Sequence, residues 1–384
     1  MRRRRAASRL GLGALALALL GGCADLGYYW QSASGHIDLM RAARPVPEWL
    51  QDPKVSEPLK AKLELAQRIR RFAVAELGLP DNASYKSYAD LHRAAAVWNV
   101  VAAPPHSLTL KTWCFPVAGC VGYRGYYEEA AARAEAAVQS GQGLESVAYP
   151  VPAYSTLGWM NWAGGDPLLS TFIGYPEGEL ARIVFHELAH QVLYVAGDTM
   201  FNESFATAVE RIGGARWLQT QAGEAARLEY AQFDARRQQF RVLTANTRRA
   251  LADVYASLAA QQQDWATVDV QKNAAMEEFR RRYAELRAGW SGPRQGAYDG
   301  WVARANNALF GAQAAYDDLV PGFEALFERE GRDWPRFYAE ARRLAALPQD
   351  QRLQALRGGD ATPAAGMPAE QIHRQPQRQG GPGA

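Results

Sequence analysis

The chain has 384 residues, of which 48% are hydrophobic and 22% are charged, and its formal net charge is +3. This composition excludes a wholly disordered chain, a collagen-like chain and a polytopic membrane protein. Five of the arginines lie within residues 1–9, so the remainder of the chain is close to neutral. A near-neutral chain gives no electrostatic support to nucleic-acid binding, and we expect no nucleic-acid partner.

The first 22 residues have the pattern of an export signal. Arg2–Arg5 precede an apolar run, Leu10–Leu20, that is too short to cross a bilayer as a helix. The sequence Leu-Gly-Gly-Cys, which ends at Cys23, resembles the bacterial lipobox. That resemblance implies cleavage before Cys23 and attachment of lipid to the Cys23 thiol. The alternative is a plain signal peptide with an incidental cysteine.

A lipid on Cys23 would anchor the protein to a membrane, since each buried CH₂ contributes about 0.8 kcal/mol. In lipoprotein sorting, a residue other than Asp after the cysteine favours the outer membrane over the inner one, and Ala24 occupies that position. We therefore expect a lipid-anchored protein of the bacterial cell envelope that faces the periplasm. Residues 23–55 are predicted to hold the anchor, a tether and a first helix.

The two remaining cysteines, Cys114 and Cys120, are separated by five residues that include Pro116 and Gly119. An exported protein resides in an oxidising compartment, and such a loop can turn back on itself, so we predict a disulfide. The alternative is a pair of metal thiolates. It is weaker because no further cysteine completes a thiolate site.

The pattern of apolar residues predicts the elements of the first half of the chain. Apolar residues at helical spacing, or alanine-rich composition, predict helices at Lys60–Leu77, Tyr88–Val100 and Glu128–Ser140. Pro, Gly and aromatic residues predict strands and turns over Leu108–Tyr127, and Leu168–Ile173 is a short β-like run. Pro176 is predicted to open the next helix, because its missing N–H costs nothing at that position.

The second half is predicted to be helical. Met276, Phe279, Tyr283, Leu286 and Trp290 follow a heptad-like spacing. This spacing predicts a long antiparallel helical hairpin over residues 223–290 that turns near Gln261–Val268. Further helices are predicted over Trp301–Leu347. Residues 357–384 contain almost nothing apolar, and we predict that they are disordered.

The strongest chemical signal is His186-Glu187-Leu188-Ala189-His190. Residues four apart share one face of a helix, so His186 and His190 can offer imidazoles to one metal ion. Glu187 lies next to them and can reach a water molecule on that ion. A catalytic zinc site needs a third protein ligand and an open fourth position.

The sequence Asn202-Glu203-Ser204-Phe205-Ala206 resembles the second motif of the gluzincin metallopeptidases. By this resemblance Glu203 is the third zinc ligand. The twelve residues between His190 and Glu203 are fewer than in thermolysin-like peptidases. Glu210 has the more thermolysin-like spacing but no preceding Asn, and it remains the alternative ligand. Glu210 and Asp198 are also candidates to orient the ligand imidazoles.

Other segments are similar to those of a bacterial family of predicted aminopeptidases, over roughly residues 23–350. The segments that carry this resemblance are Gly35-His36-Ile37, Trp113-Cys114-Phe115-Pro116, Tyr123-Arg124-Gly125-Tyr126, Tyr154-Ser155-Thr156-Leu157-Gly158-Trp159 and Gly174-Tyr175-Pro176.

Together the resemblances imply an α+β, mainly α, zincin-like metallopeptidase domain over residues 56–350. They also imply aminopeptidase activity on a peptide or protein substrate, a zinc cofactor, and Glu187 as general base. Tyr316 or Tyr154 is expected to stabilise the oxyanion, and Leu168–Ile173 is expected to act as a substrate-binding edge strand.

Two other functions remain open on the sequence. The first is an endopeptidase or another amide hydrolase of the envelope, because the acids that would bind a free α-amine are not identifiable. The second is a lipoprotein scaffold with a structural zinc ion and a partner-binding helical hairpin. Glu187 favours the enzyme, since a structural zinc site needs no acid between its histidines and normally has four protein ligands.

Overall fold

The computed structural model describes residues 26–116, 118–153, 155–156, 161, 164–292 and 294–358. The predicted signal peptide, Cys23, Tyr154 and residues 359–384 of the predicted tail lie outside this part of the chain. Helices predominate among the described residues and the strands form three small sheets, so the chain is α+β and mainly α, as predicted. Within the described residues, no helix is both long enough and apolar enough to cross a membrane.

Three helices lie in the N-terminal part of the described chain. They are α1 (residues 26–42), α2 (Val46–Gln51) and α3 (Glu57–Leu77). The predicted apolar face of α3 is confirmed, because Leu65, Ile69 and Phe72 are at most 7% exposed. The helix ends at Gly78, whose φ of +64° is the left-handed conformation that glycine adopts without strain.

One strand lies between α1 and α2, and the other strands follow α3. One sheet has the order β1 (Ala43–Pro45), β2 (Ser87–Ala89), β8 (Leu168–Leu169), and a second has the order β6 (Arg124–Tyr126), β3 (Val97–Ala103), β7 (Glu145–Val151). A hairpin joins β4 (Trp113–Phe115) to β5 (Gly119–Val121). Helix α4 (Glu129–Gly141) packs on β3 and β7, and strand β7 forms one edge of the second sheet.

The predicted helix over Tyr88–Val100 is wrong. Strands β2 and β3 occupy its two ends, and β3 pairs with β7 in an antiparallel register from Val97↔Val151 to Ala103↔Glu145. Three alanines at positions 94–96 favour a helix, but Val97, Val100 and Val101 are β-branched and buried. Pairing with β7, which is not among the predicted elements, therefore outweighs the local helix propensity.

The C-terminal half is helical, as predicted. Its helices are α5 (Glu177–Ala189), α6 (Thr199–Thr220), α7 (Glu224–Tyr255), α8 (Leu258–Gln261), α9 (Trp265–Ala288), α10 (Asp299–Ala303), α11 (Asn307–Asp317), α12 (Val320–Arg329), α13 (Trp334–Ala345) and α14 (Gln349–Arg357). The predicted hairpin corresponds to α7 and α9, whose seam buries Met276, Phe279 and Tyr283. The packed fold continues through α14, beyond residue 350, because Leu356 lies in the main core.

The predicted disulfide is confirmed. Cys114 and Cys120 are paired across the β4–β5 hairpin. The hairpin rests on the turn between α5 and α6, where the Gly197 N–H donates to the Ala118 carbonyl at 3.0 Å. Gly119 has a φ of +74°, and a Cβ atom on it would lie 2.5 Å from the Gly197 nitrogen. Glycine is therefore required there both by the backbone conformation and by the close approach of the turn.

We expect Gly119→Ala to lower the free energy of unfolding by about 2–4 kcal/mol, because it adds a left-handed alanine and a backbone clash. Gly143→Ala is the matched control, since Gly143 has a φ of +82° but nothing within 4 Å of its Cβ position. The Gly143→Ala variant should lose only the conformational part, about 1–2 kcal/mol of the free energy of unfolding. Urea unfolding measures both variants, and equal losses would contradict a tight contact between the hairpin and Gly197.

Candidate metal centre

Helix α5 presents two histidines from a buried scaffold. Pro176 precedes its first turn, as predicted, and Leu180, Val184 and Leu188 are fully buried on its core face. His186 lies in the last turn of α5 and His190 caps its C-terminus. The burial of the apolar face fixes the rotation of α5, so the two imidazoles reach the same point beside α6.

Helix α6 supplies the carboxylate. The side chain of Asn202 accepts from the Val195 N–H and donates to the Val195 carbonyl, both at 2.8 Å. These two bonds hold the turn after α5 closed against the first turn of α6. They explain why a connection this short places Glu203 next to the histidines, and they give the Asn of the Asn-Glu motif a structural role.

The three predicted ligands converge on one point. His186 Nε2 and His190 Nε2 are 3.1 Å apart, and Glu203 Oε2 lies 3.3 Å from the first and 3.6 Å from the second. A tetrahedron with ligands about 2.05 Å from its centre has edges of about 3.3 Å. The buried donor set His186, His190 and Glu203 therefore has the separations that a tetrahedral metal ion requires.

The electrostatics of the centre also favour a cation. Burial lowers the pKa of His186, but hydrogen bonds to Glu203 and Glu210 outweigh burial and raise that pKa well above its usual value. Burial raises the pKa of Glu203, but the nearby charges of His190 and His186 outweigh it and hold the Glu203 pKa well below its usual range. The buried carboxylate thus requires positive charge beside it, and a metal ion held by His186, His190 and Glu203 would supply that charge.

Glu210 lies behind His186 rather than in the donor set. Its Oε2 is 3.0 Å from His186 Nδ1, and its other oxygen accepts from Arg182. Burial raises the pKa of Glu210, but the Arg182 guanidinium outweighs this and lowers the pKa to about 2. Glu210 is therefore ionised and can fix the His186 ring with Nε2 directed at the ligand point.

Glu210 belongs to a row of alternating charges that ends on the helical hairpin. Arg182 also lies 3.8 Å from Glu179, and Glu179 accepts from Arg237 of α7 at 2.6 and 3.0 Å. We call His186, Glu210, Arg182, Glu179 and Arg237 the charge row. The buried acids and arginines of the row compensate one another, which such burial requires.

Asp198 does not contact either imidazole. It caps α6 by accepting from the Phe201 N–H at 3.1 Å, and its other oxygen pairs with Arg352 of α14 at 2.8 Å. The hypothesis that Asp198 orients a ligand histidine is therefore wrong. His106, which lies outside the His186–His190 motif, contacts Asp269 at 2.8 Å and stacks on Trp265.

A cavity of about 530 Å³ opens beside His186 and Glu187. Helices α5, α6, α7 and α11 and strand β7 line it, so one wall comes from the helical hairpin. Burial raises the pKa of Glu187, and the adjacent charges of His186 and His190 offset only part of that rise. Glu187 thus lies where a carboxylate can exchange a proton with a ligand in the cavity.

Tyr316 reaches this cavity from α11. Its ring stacks at an angle of 22° on His186 with centroids 6.3 Å apart, and the residue is 38% exposed. The surrounding protein and the charge of Glu203 raise its pKa well above the usual value, so its hydroxyl keeps its proton.

Leu168 and Leu169 are buried in the other sheet and do not line the cavity. Strand β7 lies at the cavity instead of Leu168–Ile173.

Two further tyrosines near Glu203, Tyr123 and Tyr149, are not among the site residues that the sequence predicts. Burial and the charge of Glu203 raise the pKa of both Tyr123 and Tyr149, in the latter case to about 12. Tyr149 also lines the cavity. The only signal in the sequence is the Tyr123-Arg124-Gly125-Tyr126 segment of the resemblance. Strand β7, which carries Tyr149, shows no such signal.

Residues 27–356 match the model of the family described as "Putative aminopeptidase". No curated protein and no solved structure matches the chain.

We expect Glu203→Ala and Glu210→Gln to weaken metal binding to different extents. Loss of a ligand should abolish stoichiometric binding, whereas loss of the charge behind His186 should weaken affinity by about 10–100-fold. Metal content and competition with a chromogenic chelator measure both. Glu64→Ala, on the solvent face of α3, is the control. Full binding by Glu203→Ala with loss in Glu210→Gln would reverse the two assignments.

Proposed function

The chain belongs to the putative aminopeptidase family, and from that premise we propose that it is a zinc-dependent aminopeptidase. The observation that carries the proposal is the convergence of His186, His190 and Glu203 within 3.6 Å of one another, with Glu187 beside them at the cavity wall. Two imidazoles and one carboxylate form a donor set that zinc enzymes use, and it leaves a fourth position for water or substrate.

When bound, a zinc ion supplies a Lewis acid that polarises a carbonyl group and acidifies water. The residues of this chain do the remaining work. Glu187 accepts the proton of the attacking water and later delivers it to the leaving amine. Glu210 holds the His186 ring in one orientation, so the ligand geometry is set before substrate arrives.

The oxyanion of the tetrahedral intermediate needs a hydrogen-bond donor in addition to the ion. Tyr316 is our choice, because its protonated hydroxyl belongs to a ring that stacks on His186 at the cavity. Tyr149 is the competing donor, since it lines the same cavity from β7. Both hydroxyls are protonated at neutral pH, because the pKa of a tyrosine is ordinarily near 10 and the pKa of each of these two is raised further.

An extended peptide can lie along β7. The strand is a sheet edge, and Tyr149 and Val151 line the cavity. Main-chain hydrogen bonds to such an edge bind peptides largely independently of their side chains.

Endopeptidase action, or hydrolysis of another amide, is the second candidate, and the acids at the cavity favour it. The described lining includes Glu179, Glu187 and Glu210, of which Glu179 and Glu210 are engaged by arginines. An aminopeptidase must bind a free α-amine, and engaged acids are poorly placed for that task. A structural-zinc scaffold is less favoured, because the described donor set has three ligands and an acid at a cavity.

The cellular location is part of the proposal. The N-terminal pattern supports a lipid on Cys23 and a position on the periplasmic side of the bacterial envelope, in the outer membrane by the sorting rule. The mass of the N-terminal peptide from native protein tests whether Cys23 carries a lipid.

Glu187→Gln should lower hydrolysis of aminoacyl and acetyl-aminoacyl p-nitroanilides by at least about 10²-fold, because the amide cannot accept a proton. Metal content should stay at one ion per chain. Glu64→Gln, on the solvent face of α3, is the isosteric control. Unchanged hydrolysis in Glu187→Gln with metal bound would refute the mechanism. Preference for the free or the blocked amine separates exopeptidase from endopeptidase action.

Tyr316→Phe should lower kcat by about 10²–10³-fold with little change in KM, because an oxyanion donor acts in the transition state. Tyr149→Phe is the matched variant and should change kcat much less. Steady-state kinetics on the same p-nitroanilides measures both. The opposite ranking would assign the oxyanion donor to β7.

A further inference from the structure

Helix α1 turns an apolar stripe to solvent. Its exposed residues include Leu26, Tyr29, Trp30, Ala33 and Ile37, with Trp30 75% and Leu26 70% exposed. At 100° per residue these five positions fall within an arc of about 100° on one side of the helix. We call them the α1 stripe. An exposed apolar stripe on one side of a helix is typical of a binding surface.

The opposite face of α1 fixes the direction in which the stripe points. Tyr28 stacks on Phe115 with ring centroids 5.5 Å apart, and Leu39 is 2% exposed in the main core. Gly35 passes so close to the Tyr127 ring that a Cβ on it would lie 2.2 Å from a ring carbon. The helix therefore cannot rotate to bury the α1 stripe against its own domain.

The position of the stripe in the chain indicates what covers it. Cys23, the residue proposed to carry the lipid, precedes Leu26 by three residues, which span at most about 10 Å. The stripe itself runs about 17 Å along the helix. A lipid anchored at Cys23 thus holds the start of the stripe within about 10 Å of the bilayer surface.

We propose that the α1 stripe lies in the interfacial layer of the phospholipid membrane and orients the domain on it. The inference rests on the proposed lipid anchor. Trp and Tyr rings favour this layer because they combine an apolar body with a polar edge. The charged residues of α1, Asp38 and Arg41, are 3.6 Å apart and of opposite sign. The attraction is therefore apolar and aromatic, and it should not depend on salt.

The test uses the chain that begins at Cys23, with the Cys23 thiol coupled to a maleimide lipid in phosphatidylethanolamine–phosphatidylglycerol vesicles. The Cys114–Cys120 disulfide leaves Cys23 as the thiol available for coupling. Hydroxyl-radical oxidation, located by mass spectrometry, reports the exposure of individual residues. Oxidation of Trp30 should fall about fivefold on the vesicle, whereas Trp265, 43% exposed on α9, should not change.

Two double variants separate insertion from mere proximity to the vesicle. Leu26→Ser/Ile37→Ser keeps Trp30 as the reporter and should restore its oxidation on vesicles. Leu228→Ser/Val270→Ser removes comparably exposed side chains, 60% and 69%, from the hairpin and should leave Trp30 protected. The free energy of unfolding, from urea unfolding, checks that each variant is folded.

Three results would overturn the proposal. They are unchanged oxidation of Trp30 on vesicles, persistent protection in Leu26→Ser/Ile37→Ser, and protection without vesicles that grows with protein concentration. The last would assign the α1 stripe to a second copy of the chain. Because the tether is synthetic, none of these results bears on native lipidation, which the mass of the Cys23 peptide decides independently.

Discussion

The burial of three ionisable side chains at one point is the constraint on which the rest of the molecule depends. His186, His190 and Glu203 are each less than 13% exposed at their side chains, and such burial is tolerated only when every charge has a partner. The close packing of α5 on α6 brings them together, and the Asn202 bonds to Val195 keep the connecting turn closed. The charge row then extends compensation outward from His186 to Arg237 on α7.

The site could be predicted from the sequence where it depends on local spacing. His186 and His190 share a helical face because they are four residues apart. Glu203 is predicted as the third ligand by the resemblance of its motif. Glu210 is different, because the sequence is compatible with either a metal ligand or a carboxylate that orients one. In the structure its Oε2 lies 3.0 Å from His186 Nδ1. Tyr149 could not be predicted, because nothing in its local pattern connects a strand residue with helices that pack there only in the folded chain.

The same division between local and non-local information holds for the fold. The heptad-like seam predicts the α7–α9 hairpin, because a helix of that length carries its own periodicity. The predicted helix over Tyr88–Val100 is wrong because three alanines favour a helix locally, whereas the partner strand β7 lies more than forty residues away. The hairpin also acquires a role that its pattern does not reveal. Phe240 and Arg237 on α7 line the cavity beside Glu187, so the hairpin forms a wall of the site.

The contact between the β4–β5 hairpin and Gly197 connects a disulfide-closed loop to the metal centre. The Cys114–Cys120 bond closes the hairpin that supports the turn between the two ligand helices. Such a bond persists in oxidising compartments and is opened by cytosolic reductants. Without the disulfide, the hairpin that contacts Gly197 has no covalent cross-link. In the exported peptidase that we propose, the turn beside the metal centre would therefore gain this support only when the disulfide forms after export.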